Sequence, residues 1–350
     1  MKIIHLEEFS SGVCGVHNVT WNIARVQVKR GHEVYILSSD RVKGGGVAPA
    51  NEEIDGIKVF RFPVSFTFGE NTAWWSFKEK FMEIKPDIVF CHCMRHPHCS
   101  KGLKYGRQIN AKTFLITHAP FLDRKLRGWK LHLATKAFDT MYKSELLKYD
   151  KVIATTKWEL PELRKLGCPD NKVVHVPNGF PQEFIEAKME WGGAKPLFFG
   201  RNHPIKGIET LEKACAVLGQ EFDLVDNIPM NDLDSKIRVL NEHAIFVLPS
   251  LREAFPGALV EALALGRVCI ASRTQGAKAL IEHGKNGFLF NIGDFKELAR
   301  LIDYCQRNMD SDEIVNMRKA ARVSVKDMTW PKIVDKLEEL YRKQSLEESK

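Results

Sequence analysis

Hydrophobic and polar positions divide the chain into two kinds of segment. Short runs of mostly apolar, β-branched residues are separated by longer amphipathic stretches and by polar turns. Nearly continuous apolar runs are typical of strands that are buried on both faces of a parallel sheet, and the amphipathic stretches have the period of helices that cover such a sheet. The pattern therefore predicts an α/β protein.

This alternation of strands and helices occurs twice along the chain. For the first half it predicts helices that include 16–30 and 125–147, and strands at residues 2–6, 32–39, 57–63, 87–92, 112–118, 151–156 and 172–178. For the second half it predicts strands at 196–200, 221–225, 244–250, 267–272 and 287–290, and helices at 207–219, 231–241, 257–265, 276–283 and 294–307. We therefore expect two doubly wound, Rossmann-like domains that face a central cleft.

The boundary between the two domains is marked by proline and glycine. The segment "PNGFPQEF" at 177–184 separates the two sets of strands and is the predicted hinge. We place the first domain at residues 1–182 and the second at 183–329. The segment "TWPKIVDKLEELYRK" predicts one more helix, at 330–346, with Thr329 as its cap.

Composition and charge narrow the class of protein only in part. The 350 residues are 44% hydrophobic and 27% charged, which is typical of a globular protein with material for two cores. The net charge of +8 favours anionic partners, whether phosphorylated metabolites, nucleic acid or an anionic membrane face. The first residues lack the pattern of a signal peptide, and no apolar run reaches the roughly 18 residues of a membrane span. Together with eight scattered cysteines, this predicts a cytoplasmic protein.

The stretch "LREAFPGALVEALALG" at 251–266 holds two glutamates on either side of a predicted helix start. Pro256 suits the first turn of a helix, and a helix that begins at the carboxyl end of a strand is a usual anion site in α/β folds. Glu253 and Glu261 would repel a phosphate, but a carboxylate accepts hydrogen bonds from a vicinal diol. A ligand with a phosphate between two diols is a sugar nucleotide.

A simpler interpretation of the two glutamates stays open. Glu253 could be a surface loop acid, and Glu261 a solvated residue that the helix dipole stabilises. Against this, Glu261 lies between Val260 and Ala262 on an otherwise apolar helix, where an unpaired charge is unfavourable.

Two basic residues follow the first strand of the second domain. Arg201 and Lys206 lie in "FFGRNHPIKGIETL" at 198–211, where they could neutralise a diphosphate or could simply be solvated. This loop and the glutamate loop both follow strands of one parallel sheet. We therefore expect them on the same edge of that sheet.

These residues resemble the retaining glycosyltransferases of family four, whose two-domain fold is called GT-B. The Glu-x7-Glu motif of that family matches Glu253 and Glu261, and "FGR…KG" matches the segment around Arg201 and Lys206. Further matches in the same order are "GHEVYIL" (31–37), "TH" (117–118), "VPNGF" (176–180) and "EHGKNGFLF" (282–290). The resemblance covers most of the chain.

The resemblance implies transfer of a sugar from a nucleotide-diphosphate sugar to an acceptor, with retention of the anomeric configuration and without a metal. Arg201 and Lys206 would bind the diphosphate and stabilise its charge, Glu253 would bind hydroxyls of the donor sugar, and Glu261 the ribose. The catalytic set implied is Arg201, Lys206, Glu253 and His118, with His118 facing the transferred sugar. The remaining donor-binding residues implied are Gly15, Ala254, Phe255, Pro256 and Gly257. In this fold the last helix crosses back onto the first domain.

Two segments depart from the family pattern. The first loop, "SSGVCGV", separates Gly12 from Gly15, where the family often has adjacent glycines near the diphosphate. The second strand of the second domain ends in "LVDNIP", without the small-residue turn often present there. The identity of the base therefore stays open.

Two other segments allow more than one interpretation. "CHCMRHPHC" at 91–99 could bind zinc, line a cleft, or be a plain strand and loop, and its C-x-C-x5-C spacing is unusual for zinc. The basic stretch 124–136 could lie on an anionic membrane or cover the first sheet, and Trp74 and Trp75 could join that membrane face or the core.

The sequence as a whole therefore predicts a hexosyltransferase that uses a UDP- or GDP-sugar as co-substrate, with no cofactor and no metal. The acceptor is a glycan, a lipid-linked sugar or a small molecule bound by the first domain, and peripheral contact with the cytoplasmic membrane face stays open. A dehydrogenase would need G-x-G-x-x-G after the first strand, which is missing. A degenerate, non-catalytic protein that binds anionic lipid or nucleic acid is the alternative, although we expect no nucleic acid partner.

Overall fold

The chain divides into two compact units, each with its own sheet. A computed structural model describes residues 1–12, 14–70, 72–121, 139, 142–229 and 232–347, with side chains up to residue 342. The first unit comprises Met1–Asn178 and Trp330–Lys350, and the second comprises Gly179–Thr329. The boundary lies before Phe180, whose backbone N–H donates to the carbonyl of Met328 (3.0 Å) within the second unit. It therefore precedes the position 182 expected from sequence.

The first unit contains ten described strands. In chain order they are β1 (Lys2–Phe9), β2 (Glu33–Ser39), β3 (Asn51–Ile54), β4 (Ile57–Phe62), β5 (Val64–Phe68), β6 (Thr72–Trp75), β7 (Ile88–His92), β8 (Lys112–Ile116), β9 (Lys151–Ala154) and β10 (Val173–His175). Eight of them form one sheet in the order β10-β9-β8-β7-β1-β2-β4-β3. It is parallel except for the pair β3–β4, and β5 and β6 form a separate antiparallel hairpin. A parallel sheet requires crossover connections, which helices supply here.

The second unit has a five-stranded, fully parallel sheet. Its strands are β11 (Gly193–Phe199), β12 (Asp223–Val225), β13 (His243–Leu248), β14 (Val268–Ser272) and β15 (Phe288–Phe290), in the order β12-β11-β13-β14-β15. The change of direction along this order falls at β11 and β13. Ligands of doubly wound folds bind where the strand order reverses, at the carboxyl ends of the strands.

Helices connect the strands in both units. In chain order they are α1 (Gly15–Lys29), α2 (Lys78–Ile84), α3 (Pro97–Gln108), α4 (Glu159–Lys165), α5 (Glu183–Glu186), α6 (Ile208–Leu218), α7 (Leu233–Glu242), α8 (Gly257–Ala264), α9 (Gln275–Lys278), α10 (Phe295–Arg307), α11 (Asp312–Val325) and α12 (Trp330–Glu347). Residues 142–146 are also helical. No described helix combines the length and the apolar character that a membrane span requires.

Burial of both sheet faces explains the apolar strands of the first unit. Ile3 belongs to a buried cluster on one face, and Ile4 and Leu6 to a cluster on the other, because successive strand residues point to opposite sides. The last helix, α12, covers the face of Ile3 with Trp330 and other apolar residues. Each large side chain buried in this way contributes roughly 1.5–3 kcal/mol to stability.

The predicted strands are confirmed apart from shifts at their ends, but several elements differ from the prediction. The predicted helix 276–283 is wrong beyond α9, which ends at Lys278. The pattern also misses β3, the β5–β6 hairpin and α11. The edge strand β3 is mostly exposed, so it lacks the apolar run by which buried strands are recognised.

The segments considered for membrane contact have separate outcomes. Trp75 belongs to the core, because it is only 2% exposed and lies against Phe62 and Phe77, so a membrane role for this residue is wrong. The basic stretch 124–136, and most of the helix predicted at 125–147, lie outside the described residues.

Candidate functional site

Three loops of the second unit follow neighbouring strands of its sheet. The first loop (200–207) follows β11, the second (249–256) follows β13, and the third (273–274) follows β14. Because the strands are parallel and adjacent, these loops meet at the carboxyl edge of the sheet. We call this group of loops the rim.

The first two loops of the rim touch backbone to backbone. The N–H of Leu251 donates to the carbonyl of Ile205 (2.8 Å). Gly207 ends a short 3-10 turn with a φ of 63°, and a Cβ atom there would lie 2.3 Å from the carbonyl oxygen of Pro249. Only glycine permits both this left-handed backbone and this approach.

An ion pair joins the two loops. The Nζ of Lys206 lies 2.7 Å from the Oε1 of Glu253, with the two side chains 21% and 10% exposed. The Ser250 hydroxyl donates to the same oxygen (2.7 Å), and the Ser272 hydroxyl in turn donates to the carbonyl of Ser250. The Glu253 carboxylate is thus held by charge and by hydrogen bonds, in a setting where such pairs are shielded from water.

The first turn of α9, directly after the third loop, holds the backbone of the same glutamate. The N–H of Gly276 donates to the carbonyl of Glu253 (3.0 Å), and a Cβ on Gly276 would lie 2.7 Å from the carbonyl oxygen of Ala254. Sequence reasoning missed Ser250, Ser272 and Gly276. The small residues of "SRTQGA" after β14 are the signal that could have indicated a tight turn here.

The proline and its neighbours lie at the beginning of α8. Pro256 is buried and is the N-cap residue of α8, whose first helical residue is Gly257. It therefore lies one residue before the first turn, in which the sequence predicts it. Ala254 and Gly257 are exposed and Phe255 is half-buried. The first turn of α8 carries no acidic residue, which leaves the positive end of its dipole uncompensated by the chain itself.

Glu261 lies in the second turn of α8 and is half-buried. Burial raises the pKa of its carboxyl above the usual value of 4.5, and the nearby charge of Lys236 on α7 opposes this shift. Arg201 is exposed and follows Gly200 in the first loop. The structure therefore brings Lys206 and Glu253 into direct contact, whereas Glu261 interacts electrostatically with Lys236.

In the first unit, a line of three histidines lies at the carboxyl edge of the sheet. His5 on β1 and His92 on β7 are 3.0 Å apart (Nδ1 to Nε2), and His92 and His118 are 2.9 Å apart (Nδ1 to Nε2). His118 follows β8 with a φ of 55°. Burial lowers the pKa of His5 to about 4 and of His118 to about 3, so both rings are neutral at pH 7.

Hydrogen bonds along this line fix which nitrogen carries each proton. The Oε1 of Gln27 can only accept, so His5 donates to it from Nε2 (2.8 Å) and accepts at Nδ1 from His92. His92 then accepts at Nδ1 from the Nε2–H of His118. With Gln27 in this orientation, His118 keeps a lone pair at Nδ1. Sequence analysis does not indicate this line, because the histidines that are hydrogen-bonded neighbours in it are 87 and 26 positions apart.

Gly15 is the first residue of α1 and is exposed, and a Cβ there would meet no other atom within 4 Å. Cys14 caps this helix in an extended conformation, and its first turn carries no acidic residue. The backbone at Gly15 is therefore accessible in the first unit, as an anion at a helix N-terminus requires.

The segment 91–99 forms a buried strand end and a tight loop. Cys91 and Cys99 are fully buried, and the Cys99 thiol donates to the carbonyls of His92 (3.3 Å) and Cys93 (3.0 Å). Cys93 and Arg95 both have positive φ angles, which turn the chain sharply before α3. The cysteines of this segment thus pack and hydrogen-bond within the fold.

Two sequence profiles match the two units. One described as Glycosyltransferase Family 4 matches residues 13–184, and one described as Glycosyl transferases group 1 matches residues 195–308. A GDP-mannose-dependent alpha-mannosyltransferase of Corynebacterium glutamicum is 36% identical over 374 residues, which cover 96% of this chain and 87% of that protein.

Other relatives are matched over less of their length. The amylovoran biosynthesis glycosyltransferase AmsK of Erwinia amylovora is 27% identical over 220 residues, which cover 51% of this chain and 54% of that protein. This chain spans about half the length of that relative, and less of some others.

A solved structure shares the fold. The structure of HepE from Anabaena in complex with UDP superposes with a TM-score of 0.73 over 98% of this chain and 100% of that chain, at 16% identity. The likeness confirms the predicted α/β fold of the GT-B class, with two Rossmann-like domains. On the profiles and the mannosyltransferase alignment, the chain belongs to glycosyltransferase family 4.

Proposed function

We propose that this protein transfers a hexose-type sugar from a nucleotide-diphosphate sugar to a carbohydrate, lipid-linked or small-molecule acceptor, with retention of configuration and without a metal in the reaction. The observation that carries the proposal is the ion pair of Lys206 and Glu253 at the rim. The ammonium and the carboxylate lie side by side, and the loop of Glu253 leads into the N-terminus of α8. A sugar diphosphate presents the complementary groups.

The diphosphate would be bound by positive groups of the rim. Lys206 and Arg201 share the first loop, and α8 directs its free N–H groups towards the same edge. A nucleoside diphosphate is a good leaving group, so catalysis depends on stabilising the charge that develops as the glycosidic bond breaks. Lys206 would supply that charge from a position already fixed by Glu253.

Glu253 would bind the donor sugar. Both of its hydrogen bonds within the chain fall on Oε1, which leaves Oε2 for a sugar hydroxyl. Glu261, about one turn further along α8 from Gly257, would accept hydrogen bonds from the ribose hydroxyls. The exposed or half-buried residues Ala254, Phe255 and Gly257 would line the pocket.

The first unit would bind the acceptor. His118 keeps a lone pair at Nδ1, so it would accept a hydrogen bond from a hydroxyl of the transferred sugar. Gly15 at the beginning of α1 would approach the diphosphate.

The names of similar proteins suggest two alternatives for the base and sugar of the donor. The mannosyltransferase of Corynebacterium glutamicum uses GDP-mannose by name, and HepE was solved with UDP. Either a GDP-sugar or a UDP-sugar is therefore the proposed donor. A thermal-shift screen with UDP-, GDP- and ADP-sugars distinguishes them, because a ligand that binds the folded state raises the apparent melting temperature.

Release of nucleoside diphosphate from a panel of sugar nucleotides tests the proposal itself. We expect release with one class of nucleotide, accelerated by an acceptor. A protein that releases none, but binds DNA or anionic lipid in a salt-dependent manner, would instead be a degenerate, non-catalytic member of the family.

A further inference from the structure

A second polar group of the first unit adjoins the line of histidines, because the Nε2 of His98 donates to the carbonyl of His92. Glu8 near the end of β1, and His96 and His98 at the beginning of α3, each offer a ligand atom, and these atoms lie within 4.8 Å of one another. Glu8 is 5% exposed and His98 is 1% exposed. We call these three residues the Glu8 cluster.

Four side-chain atoms of the Glu8 cluster lack a hydrogen-bond partner within the part of the chain that the structure describes. They are both carboxylate oxygens of Glu8 and the Nδ1 atoms of His96 and His98. Buried polar atoms are nearly always hydrogen-bonded, and an unpaired buried carboxylate is strongly unfavourable. Four such atoms in one place indicate that something else completes the site.

The ring of His98 is oriented so that a lone pair faces the carboxylate. Its Nε2 donates to the carbonyl of His92 (2.9 Å), so in the neutral ring Nδ1 carries the lone pair. That Nδ1 lies 3.7 Å from the Oε2 of Glu8, which is too far for a hydrogen bond. Two electron-rich atoms therefore face each other across a gap that a cation would fill. Histidines that bind metals usually donate their other ring N–H to a backbone carbonyl, as His98 does.

One cationic side chain of the protein itself lies near Glu8. The guanidinium of Arg41 reaches Oε1 of Glu8 at 3.8 Å, which leaves Oε2 facing His98. The Nδ1 of His96 is buried, and it has no hydrogen-bond partner within the described part of the chain.

We propose that Glu8, His96 and His98 bind one divalent transition-metal ion, with Zn²⁺ the best match. Two imidazole nitrogens and one carboxylate oxygen are a known zinc ligand set, which a water molecule completes to four. The ion would join the end of β1 to the beginning of α3 and would fix the strained turn at Cys93 and Arg95. All three of its protein ligands belong to the first unit, whereas the rim belongs to the second.

Metal content and metal binding test this site. We expect the purified wild type to contain about one equivalent of metal by plasma mass spectrometry, or, after chelation and dialysis, to bind one equivalent of Zn²⁺ in a calorimetric titration. Glu8→Gln keeps the shape of the side chain and removes its charge, and His96→Gln removes a ring at the helix cap. Each should lower the affinity for Zn²⁺ by at least about tenfold to a hundredfold, which is the usual effect of losing even a residue that only supports a metal ligand. His175→Gln, in β10 of the same unit, is the matched control and should bind as the wild type does.

The same proteins provide a readout that does not depend on activity. Zn²⁺ should raise the melting temperature of the wild type and of His175→Gln, but not that of Glu8→Gln, while circular dichroism confirms that all are folded. Replacement by Co²⁺ should give visible absorption bands in the wild type and in His175→Gln, but not in Glu8→Gln. The proposal is overturned if the wild type neither contains metal nor binds Zn²⁺ in the titration, since a water molecule would then fill the gap. Equal binding by folded Glu8→Gln and wild type would also overturn it.

Discussion

Lys206 and Glu253 are 47 positions apart in the sequence, yet the ammonium of one lies 2.7 Å from the carboxylate of the other. The contact depends on two loops of adjacent strands that approach within backbone hydrogen-bond distance. It gives the rim a positive and a negative group at fixed positions. This arrangement leads to expected effects of substitution at the rim, and the raised pKa of Glu261 and the lowered pKa of His118 lead to expected effects of pH.

Removal of the rim cations should reduce turnover. Lys206→Ala and Arg201→Ala should each lower kcat with the preferred donor by about 10²-fold or more, as is typical when a group that stabilises transition-state charge is lost. Lys213→Ala is the matched control, because Lys213 lies on α6 of the same unit and pairs with Glu209 at the surface. Near-normal turnover in both rim variants would rule out this role.

A comparison of alanine variants at Gly207 and Gly219 distinguishes the effect of backbone strain from that of close packing. Both have a φ of 63°, but a Cβ on Gly207 would collide with the Pro249 carbonyl, whereas one on Gly219 would meet no atom within 4 Å. Gly219→Ala should lower the free energy of unfolding by about 1–2 kcal/mol, the usual effect of a left-handed alanine. Gly207→Ala should lower it by about 1–3 kcal/mol more, because the loops must separate.

Urea unfolding of the two glycine variants measures this difference, and nucleotide binding shows its consequence. Gly207→Ala should also bind the donor more weakly, since Lys206 is the preceding residue, while Gly219→Ala should bind normally. Equal destabilisation of the two variants would show that the first two loops of the rim do not pack as described.

Glu261→Gln should stabilise the protein and weaken nucleotide binding. Burial raises the pKa of Glu261, so its stabilising contribution is present below its unfolded pKa of 4.5 and is lost as the pH rises through the higher folded pKa. The glutamine variant should therefore be more stable than the wild type at pH 7, with the difference vanishing below about pH 4. Exposed Glu209→Gln is the control and should not be stabilised, because its partner Lys213 lowers the pKa of Glu209.

The same variant tests the ribose contact. Glu261→Gln should bind an ordinary nucleoside diphosphate more weakly than the wild type does, but a 2′,3′-dideoxy analogue about equally well. If both nucleotides lose the same affinity, Glu261 does not contact the ribose hydroxyls.

The loss of stability at acid pH should depend on His118, because burial lowers the pKa of this residue. Its pKa falls from 6.5 unfolded to about 3 folded, so the unfolded chain binds the extra proton between these values, and stability is lost as the pH falls through them. Asparagine tolerates the positive φ of this position. His118→Asn should therefore lower the slope of unfolding free energy against pH, between pH 6 and 4, by up to about 1.4 kcal/mol per pH unit. Equal slopes for the two proteins would contradict the burial of a neutral ring.

The strands, and the loops that carry the site, could be predicted from sequence because buried parallel strands have an unmistakable apolar pattern. Lys206 and Glu253 could be placed on one edge because both follow strands of the same sheet. Their direct contact, and the support from Ser250 and Gly276, could not be predicted, since these depend on how closely three loops approach. Pattern reasoning has no access to such distances.

In the first unit, too, strands could be predicted from sequence, whereas contacts between side chains could not. The strand that ends at His92 was predicted, whereas its hydrogen bonds to His5 and His118 join residues from three strands. Glu8 was not singled out, because a glutamate in an apolar strand has no spacing that marks a partner. The pattern misses the hairpin with Trp75 because both strands have only four or five residues and β5 is mostly exposed.

Calorimetric titration of nucleoside diphosphates into the wild type, Lys206→Ala and Lys213→Ala tests most directly whether the rim binds the donor. We predict that the wild type and Lys213→Ala bind either UDP or GDP with the same affinity, and that Lys206→Ala binds it at least about tenfold more weakly, which corresponds to roughly 1.4 kcal/mol. If the wild type binds neither nucleotide, or if Lys206→Ala binds as tightly as the wild type, the rim is not the site of a nucleotide sugar.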